Sequence, residues 1–530
     1  MTGPAENAWA RRLGWGLLAL VGLFIILTFD QHGISNDEEV QHVYGRLLVD
    51  FYASGFVDQG AFHYKNLYLY GGFFDLIAAL LERTLPLPVW DMRHLLSALF
   101  GLAGLAGAWR LGRLLGGEGA GLAALVILVL TGAWSGGMFT HTKDVPFATC
   151  MVWALYYITR LVPELPRPSQ GLVLRFGVAV GCAIGLRVGA VFAVFYLVLT
   201  VLAVALARAE GGWRGRLAFV ARSAWALVPS AAVALVLMGL FWPWSVMAPG
   251  NLLEAARAFS HFEFSLHTLL AGQDYLIGAV PRTYLLTYLA VRLPELLLAG
   301  AAAALVLAVA TLGRPGGKRG RWVIFVPLAV AVAFPLVFTL ATRPALYNGI
   351  RHFLFVVPPL AVLAGLGWWA LLARAGGLRL PLGLLALALV AFHGVTLARL
   401  HPYQYLYYNQ VVGGLPGAED RWEMDYWSDA LRPVAERLNR YVAAEPEPAE
   451  PWPVAVCAES IQGAAYLGPR FEVTRDWRKA EFFLSTTHLD CDTAVKGAIV
   501  ATVARMGVPL AVARDRRGLT GAARDPRIPQ

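Results

Sequence analysis

Asp37, Glu38 and Glu39 stand in a row shortly after an apolar run that ends at Phe29. Lys65 follows in the same polar segment. Further along, "HTKDVP" supplies His141, Lys143 and Asp144, "GLRVGA" supplies Arg187, and "TRPALYNGIRH" supplies Arg343, Tyr347, Arg351 and His352. All except Lys65 sit near the edge of an apolar stretch, where charge is costly and tends to mark function. A carboxylate can take a proton from a weak nucleophile. Arginine and lysine can hold a phosphate, which is already a good leaving group and needs charge stabilisation rather than a general acid. Gathered in one place, the two residue types suit group transfer from a phosphate ester.

The elements that must gather them are membrane helices. The 530 residues are 58% hydrophobic and only 15% charged, with a mean hydropathy of +0.57. Soluble domains are nearer a quarter charged. Candidate spans across a hydrocarbon layer of about 30 Å lie at 13–29, 91–112, 119–135, 145–162, 171–186, 188–207, 223–242, 293–312, 322–341, 352–373 and 380–398. The first follows Arg11-Arg12 and has no small-x-small cleavage pattern after it. It reads as an uncleaved span with a cytoplasmic N-terminus. A further apolar stretch, "NLYLYGGFFDLIAALLERTL" at 66–85, contains Asp75, a Gly-Gly pair and Glu82-Arg83. It reads as an amphipathic helix lying on the surface.

Arginine placement supports that choice. With 66–85 outside the count, one side collects Arg110, Arg113, Arg160, Arg167, Arg175, Arg208, Arg214, Arg216 and Arg222. It then adds Arg314, Lys318, Arg319, Arg321, Arg374 and Arg379. This is the positive-inside pattern, and it accounts for the net charge of +9 without nucleic acid. The expected fold is an α-helical polytopic membrane protein of about 11 spans over 1–398, in the inner membrane. Large outer loops are expected at 30–90 and 243–292, with a small periplasmic α/β domain at 399–530. In that tail "DALRPVAERLNRYV" reads as a helix, "VAVCAE", "FEVTR" and "AEFFLST" read as strands, and "AIVATVARMGVPLAVARD" reads as two strands joined at Met-Gly. Cys457 and Cys491 lie in this tail and can pair if it faces an oxidising compartment. Cys150 and Cys182 fall inside apolar runs and read as packing residues.

Each charged group also has a plainer reading. Asp37 can reinforce topology or cap a helix, Asp144 can be an N-cap before Val145-Pro146, and Arg187 and Arg351 can snorkel to lipid phosphates. "HFEFSLH" brings His261, Glu263 and His267 near one another, but without a sharp metal motif. "GGEGAG" at 116–121 has no strand before it and reads as a loop rather than a nucleotide site. A secondary transporter would carry its polar groups near the midplane, often in two related halves. Here the charges gather at one boundary and no half-repeat is found. Transfer of a sugar from a polyprenyl phosphate fits better: cations hold the phosphate, a carboxylate deprotonates the acceptor hydroxyl, and a slot between spans takes the lipid.

The ordered set "NDEE" (36–39), "YGGFFD" (70–75), "HTKDVPFA" (141–148), "GLRVGA" (185–190), "FWPW" (241–244), "YNGIRHFLFVVPPLAVLAG" (347–365) and "HPYQYLYYNQVVGG" (401–414) resembles GT-C-type glycosyltransferases of family 39. These are the relatives of protein O-mannosyltransferases and of the lipid A aminoarabinose transferase. The resemblance implies Asp37 as catalytic base with Glu38 beside it, and Asp144 as a second site acid or part of a divalent-cation site. It implies that Arg351 faces the lipid phosphate, with Lys143, Arg187, His352 and Tyr347 nearby. Lys65, Glu39 and His141 are then candidates for the pocket or the acceptor side. Two departures stand out. "NLYLYGG" replaces a His-Pro-Pro-Leu-like stretch of many relatives, and the lumenal insert of eukaryotic protein mannosyltransferases is missing.

Overall fold

The computed structural model describes residues 4–260, 266–312 and 321–526. The chain opens with α1 (Pro4–Thr28), then α2 (Glu38–Ala53) and α3 (Phe73–Glu82), followed by α4 (Val89–Gly116) and α5 (Glu118–Val129). Short turns α6 (Gly132–Ser135) and α7 (Gly137–Thr140) lead into α8 (Asp144–Leu161), α9 (Gln170–Ile184), α10 (Val191–Arg208) and α11 (Gly212–Phe241). An outer segment holds α12 (Trp244–Met247), α13 (Asn251–Ser260) and a hairpin of β1 (His267–Leu270) with β2 (Gln273–Leu276). The bundle closes with α14 (Tyr284–Arg292), α15 (Glu295–Leu312), α16 (Val326–Thr342), α17 (Val357–Arg374) and α18 (Arg379–Leu400).

All eleven predicted stretches are helical. Among the described residues seven helices are long and apolar enough to cross a membrane, or up to nine when each of two bent pairs is counted as one span. The other two stretches are α8, of 18 residues, and α9, of 15. Large apolar side chains such as Leu23 and Leu27 on α1, Trp225 and Val236 on α11, Val306 and Val309 on α15, and Leu384 and Leu387 on α18 point outward. A surface of that kind needs hydrocarbon around it. This is a multi-pass membrane protein.

Two departures from straight spans have local causes. The predicted 119–135 span breaks after α5 and bends by 69°. A Cβ on Gly132 or Gly136 would overlap the backbone of Gln404 and Tyr405, so the two glycines let this segment lie flat against a distant piece of chain. Between α14 and α15 the bend is 115°. Pro294, which cannot donate a backbone hydrogen bond, stands at that break. The 66–85 segment contains α3, only 10 residues long, or about 15 Å. That is half a hydrocarbon core, so it does not cross.

In the tail, α19 (Gly414–Ala418) and α20 (Leu431–Tyr441) precede β3 (Trp452–Cys457), α21 (Ser460–Ala464), β4 (Phe471–Val473), β5 (Phe482–Thr486), β6 (Ala498–Arg505) and β7 (Val508–Asp515). The sheet order is β4-β3-β5-β7-β6, with β3 parallel to β4 and β5, and β7 antiparallel to both its neighbours. Met506 and Gly507 both take positive φ at the β6–β7 turn, the twist that a two-residue hairpin prefers. Cys457 and Cys491 form a disulfide with their Cα atoms 6.4 Å apart. Residues 401–430 lie outside this sheet. Their tyrosines 403, 405, 407 and 408 are buried, and Asn409 is tied to the backbone of Ala290, Val291 and Leu293.

Candidate active site

The loop that carries Asp37 is held by the distant segment "WEMDYWSD" at 422–429. The Asp429 carboxylate accepts from the Gly33 N–H and lies 3.4 Å from His32 Nδ1. Asn36 Nδ2 donates to the Tyr426 carbonyl at 2.6 Å, and Gln462 Nε2 donates to the carbonyls of Ile34 and Trp427. Asp37 then occupies the N-cap position of α2, yet its side chain makes no capping bond. The carboxylate is 47% exposed and faces Arg351, with Nη2 to Oδ2 at 3.4 Å.

Arg351 does not snorkel to lipid. It is 8% exposed, and its guanidinium lies 4.5 Å from the Trp427 ring centre and 5.0 Å from that of Tyr347. Asn348 and Gly349 both take positive φ, and the Gly349 N–H donates to the Tyr284 hydroxyl at 3.1 Å. That turn delivers Arg351 at the head of the span that continues into α17.

Asp144 is likewise no N-cap: α8 begins at Asp144, after Lys143. Its carboxylate pairs with Arg187 Nη2 at 2.5 Å. Arg187 is placed by a close approach of two glycines, because a Cβ on Gly71 would overlap the Gly185 carbonyl. That carbonyl accepts from the Phe73 N–H at 2.9 Å, and the Gly72 N–H donates to Phe241 O at 2.7 Å. The "YGGFFD" and "GLRVGA" segments therefore lock together. Lys143 Nζ sits 4.3 Å over the Tyr70 ring, and no carboxylate lies within 4.0 Å of it among the described residues. Burial pushes its pKa down to about 8, against the pull of Asp75, Asp37 and Asp144.

The acids beside Asp37 have different surroundings. Glu38 is sealed at 0% exposure, 3.4 Å from Arg93 Nε and 3.2 Å from His94 Nε2, with the Ser35 N–H donating at 3.1 Å. Burial pushes its pKa up, but His94 and Arg93 outweigh that and hold it below the usual carboxylate range. Arg93 also pairs with Asp75 at 2.9 Å. Glu39 is half-buried in the first turn of α2, and Lys65 is exposed. His141 is buried under the site. The donor-only Trp427 indole N–H bonds its Nε2 at 2.8 Å, and the Tyr426 hydroxyl meets the same nitrogen at 2.8 Å. Nε2 is therefore an acceptor, and burial with nearby Arg351 keeps the imidazole neutral. His352 packs its ring 4.6 Å from that of Tyr347.

Five of the candidates, Asp37, Lys143, Asp144, Arg187 and Arg351, thus meet at one end of the bundle, with Tyr347, His352 and His141 around them. Sequence reasoning missed Tyr426, Trp427 and Asp429, which hold the Asp37 loop and Arg351. The available signal was an unusual density of aromatic and acidic residues at 422–429. A divalent cation finds no ready cradle. Asp144 is committed to Arg187, and no group of three or more His, Cys, Asp or Glu side chains converges among the described residues. His261 and Glu263 lie outside those residues, and His267 pairs with Asp274 at 2.8 Å.

The chain matches no protein-family model and no curated protein sequence. Among solved structures, apo ArnT from Cupriavidus metallidurans superposes with a TM-score of 0.51 at 17% identity, over 95% of this chain and 98% of that one. The same enzyme bound to undecaprenyl phosphate gives 0.50 at 16% identity, over 94% and 98%. The chain has the GT-C fold. An oligosaccharyltransferase from Archaeoglobus fulgidus in the apo form aligns at 0.49 and 14% identity, over 91% of this chain and 70% of that one.

Proposed function

We propose that this protein is an integral-membrane glycosyltransferase that moves a sugar from a polyprenyl-phosphate donor to an acceptor outside the cytoplasm. The observation that carries the reading is the meeting of the half-exposed Asp37 with the buried Arg351 at 3.4 Å, beside Lys143 and Arg187. The ArnT structure of the same fold holds undecaprenyl phosphate, which supports a lipid-linked donor here.

In this reading Asp37 accepts the proton of the acceptor hydroxyl as that oxygen attacks the anomeric carbon. The bond from that carbon to the phosphate oxygen breaks, and the electron pair leaves on the polyprenyl phosphate. Arg351 and Lys143 neutralise the developing charge, with Arg187 fixed by Asp144 at the edge of the site. A single base opposite the departing phosphate gives inversion at the anomeric carbon. Glu38 positions Asp37 by anchoring the start of α2. Tyr347 and Trp427 frame the guanidinium, His352 packs behind Tyr347, His141 supports the pocket floor, and Glu39 and Lys65 lie toward the acceptor side. The site faces the periplasm in an inner-membrane topology with a cytoplasmic N-terminus.

The test is chemical. A strain lacking the gene should accumulate a polyprenyl-phosphate-linked sugar detectable by mass spectrometry, relieved by the wild-type gene and not by an Asp37→Asn allele. An unchanged lipid-linked pool would overturn the proposal.

A further inference from the structure

The end of the bundle away from Asp37 has a built feature that glycosyl transfer does not use. Arg110, Arg113 and Arg160 converge with Leu114, Gly117, Glu118 and Tyr156 on a cavity of about 460 Å³. Along α4, Arg110 lies 17 residues beyond Arg93, which touches Glu38 at the active end. At about 1.5 Å per residue that is roughly 25 Å, close to a bilayer core. The cavity therefore sits at the opposite headgroup level.

Its walls hold the cations in place. Gly117 at φ +84 turns the chain so that α5 starts directly after α4 ends, and the "GGEGAG" stretch becomes a helix–helix corner. Guanidinium groups rest over rings: Arg113 at 4.7 Å from Trp109, Arg110 at 5.7 Å from Trp153, and Arg160 at 5.9 Å from Tyr156. Arg160 Nη1 donates to the Tyr156 hydroxyl oxygen at 3.2 Å, leaving that hydroxyl proton to serve another acceptor. Glu118 pairs with Arg113 at 2.5 Å and offsets one cation. Arg113 Nε is buried with no hydrogen-bond partner among the described residues.

Positive-inside topology explains why arginines lie at this level, but it does not require three of them to share a cavity with an open-ended phenol and a helix start. We propose that this cavity binds the phosphodiester headgroup of an anionic phospholipid in the leaflet opposite the Asp37 site. A phosphodiester at the span ends has two free oxygens for guanidinium and phenol donors, and its acyl chains lie along the apolar flank of the helices. Only the label of that leaflet as cytoplasmic rests on the topology proposed above. The binding itself does not depend on glycosyl transfer.

The experiment uses the purified full-length chain in detergent, with thermal unfolding followed as phosphatidylglycerol, phosphatidylcholine or inorganic phosphate is added. Phosphatidylglycerol should raise Tm, and the other two should not. The double variant Arg110→Gln/Arg160→Gln should need about tenfold or more phosphatidylglycerol for the same shift, as expected for lost charge-assisted bonds. Arg83→Gln, an exposed outer arginine paired with Asp50, should respond as wild type. An undiminished response in the double variant, an equal loss in Arg83→Gln, or a full shift from inorganic phosphate would each overturn the proposal. If the double variant does not fold, Arg160→Gln alone is scored by phosphatidylglycerol retained in native mass spectrometry, and unchanged retention overturns it.

Discussion

The Arg351 guanidinium lies 3.4 Å from the Asp37 carboxylate across 314 residues of chain. The partners are unequal. Arg351 is fixed between two aromatic rings, whereas Asp37 is 47% exposed and makes no capping bond. A donor phosphate reaching the guanidinium competes with the carboxylate and offers more than one oxygen to the planar fork. On the proposed reading, donor binding therefore releases Asp37 from its ion pair and frees it to act as base.

Asp37→Asn should lower transfer by about 10²–10⁴-fold. Its effect on thermal stability should be small beside that on activity, because the Asp37 side of the pair is 47% exposed and screened by solvent. Arg351→Lys should also lose transfer, since a lysine cannot both stack between Tyr347 and Trp427 and present a fork. Membranes bearing each variant, assayed for transfer of labelled sugar beside a melting curve, check this. Full activity in Asp37→Asn would remove the base assignment.

Glu38→Gln should behave in the opposite way. The carboxylate is sealed against Arg93 and His94, and removing one member of a buried charge group costs about 3–5 kcal/mol. Because its folded pKa lies below the ordinary 4.5, its contribution is present above that pH and is lost as the pH falls through the lower folded value. The wild type should lose stability across that acid window, and Glu38→Gln should lose less there. Melting temperatures measured from neutral pH down to acid decide it. A variant as stable as wild type at neutral pH would show that the network carries little.

Much of this was legible because apolar runs and the charges at their edges are local features. The eleven helical stretches, a 66–85 segment that does not cross, and the meeting of Asp37, Lys143, Asp144, Arg187 and Arg351 follow from them, although α3 packs its Phe73, Phe74, Asp75 and Leu76 inward rather than lying on a surface. What could not be read depends on distant backbone. The break before Gly132 exists because residues 404–405 pass against it. Glu38 looks like a twin of Asp37 in sequence, and only Arg93 and His94 make it a buried strut. "WEMDYWSD" is visibly aromatic and acidic, but nothing in its own composition says that it grips residues 32–37.

Topology has a direct test. A reporter that works only outside the cytoplasm should be silent when fused after Gly377, which precedes α18, and active when fused near Ala443, after α20. In the same cells the Cys457–Cys491 pair should be oxidised, giving a mobility shift on reduction that Cys457→Ser abolishes. Closing a loop of 34 residues predicts a loss of about 3–4 kcal/mol from that substitution. The reverse reporter pattern would remove the outward-facing site.

Lys143 supplies the pH signature. Burial sets its pKa at about 8, below the ordinary 10.5, so the folded chain surrenders this proton before the unfolded chain does. Holding a buried ammonium therefore weighs against the fold below pH 8, and that penalty fades as pH rises from about 8 towards 10.5. Donor binding has the opposite preference, because a phosphate needs the ammonium. The KM for the lipid-linked donor should climb as pH rises through about 8, and kcat should fall as the departing phosphate loses a cation. Lys143→Arg, which keeps its charge throughout, should flatten that alkaline limb even if its baseline KM is higher. A donor KM in wild type that stays level from pH 7 to pH 9.5, both pH values being about one unit or more from the pKa, would mean that Lys143 does not meet the phosphate.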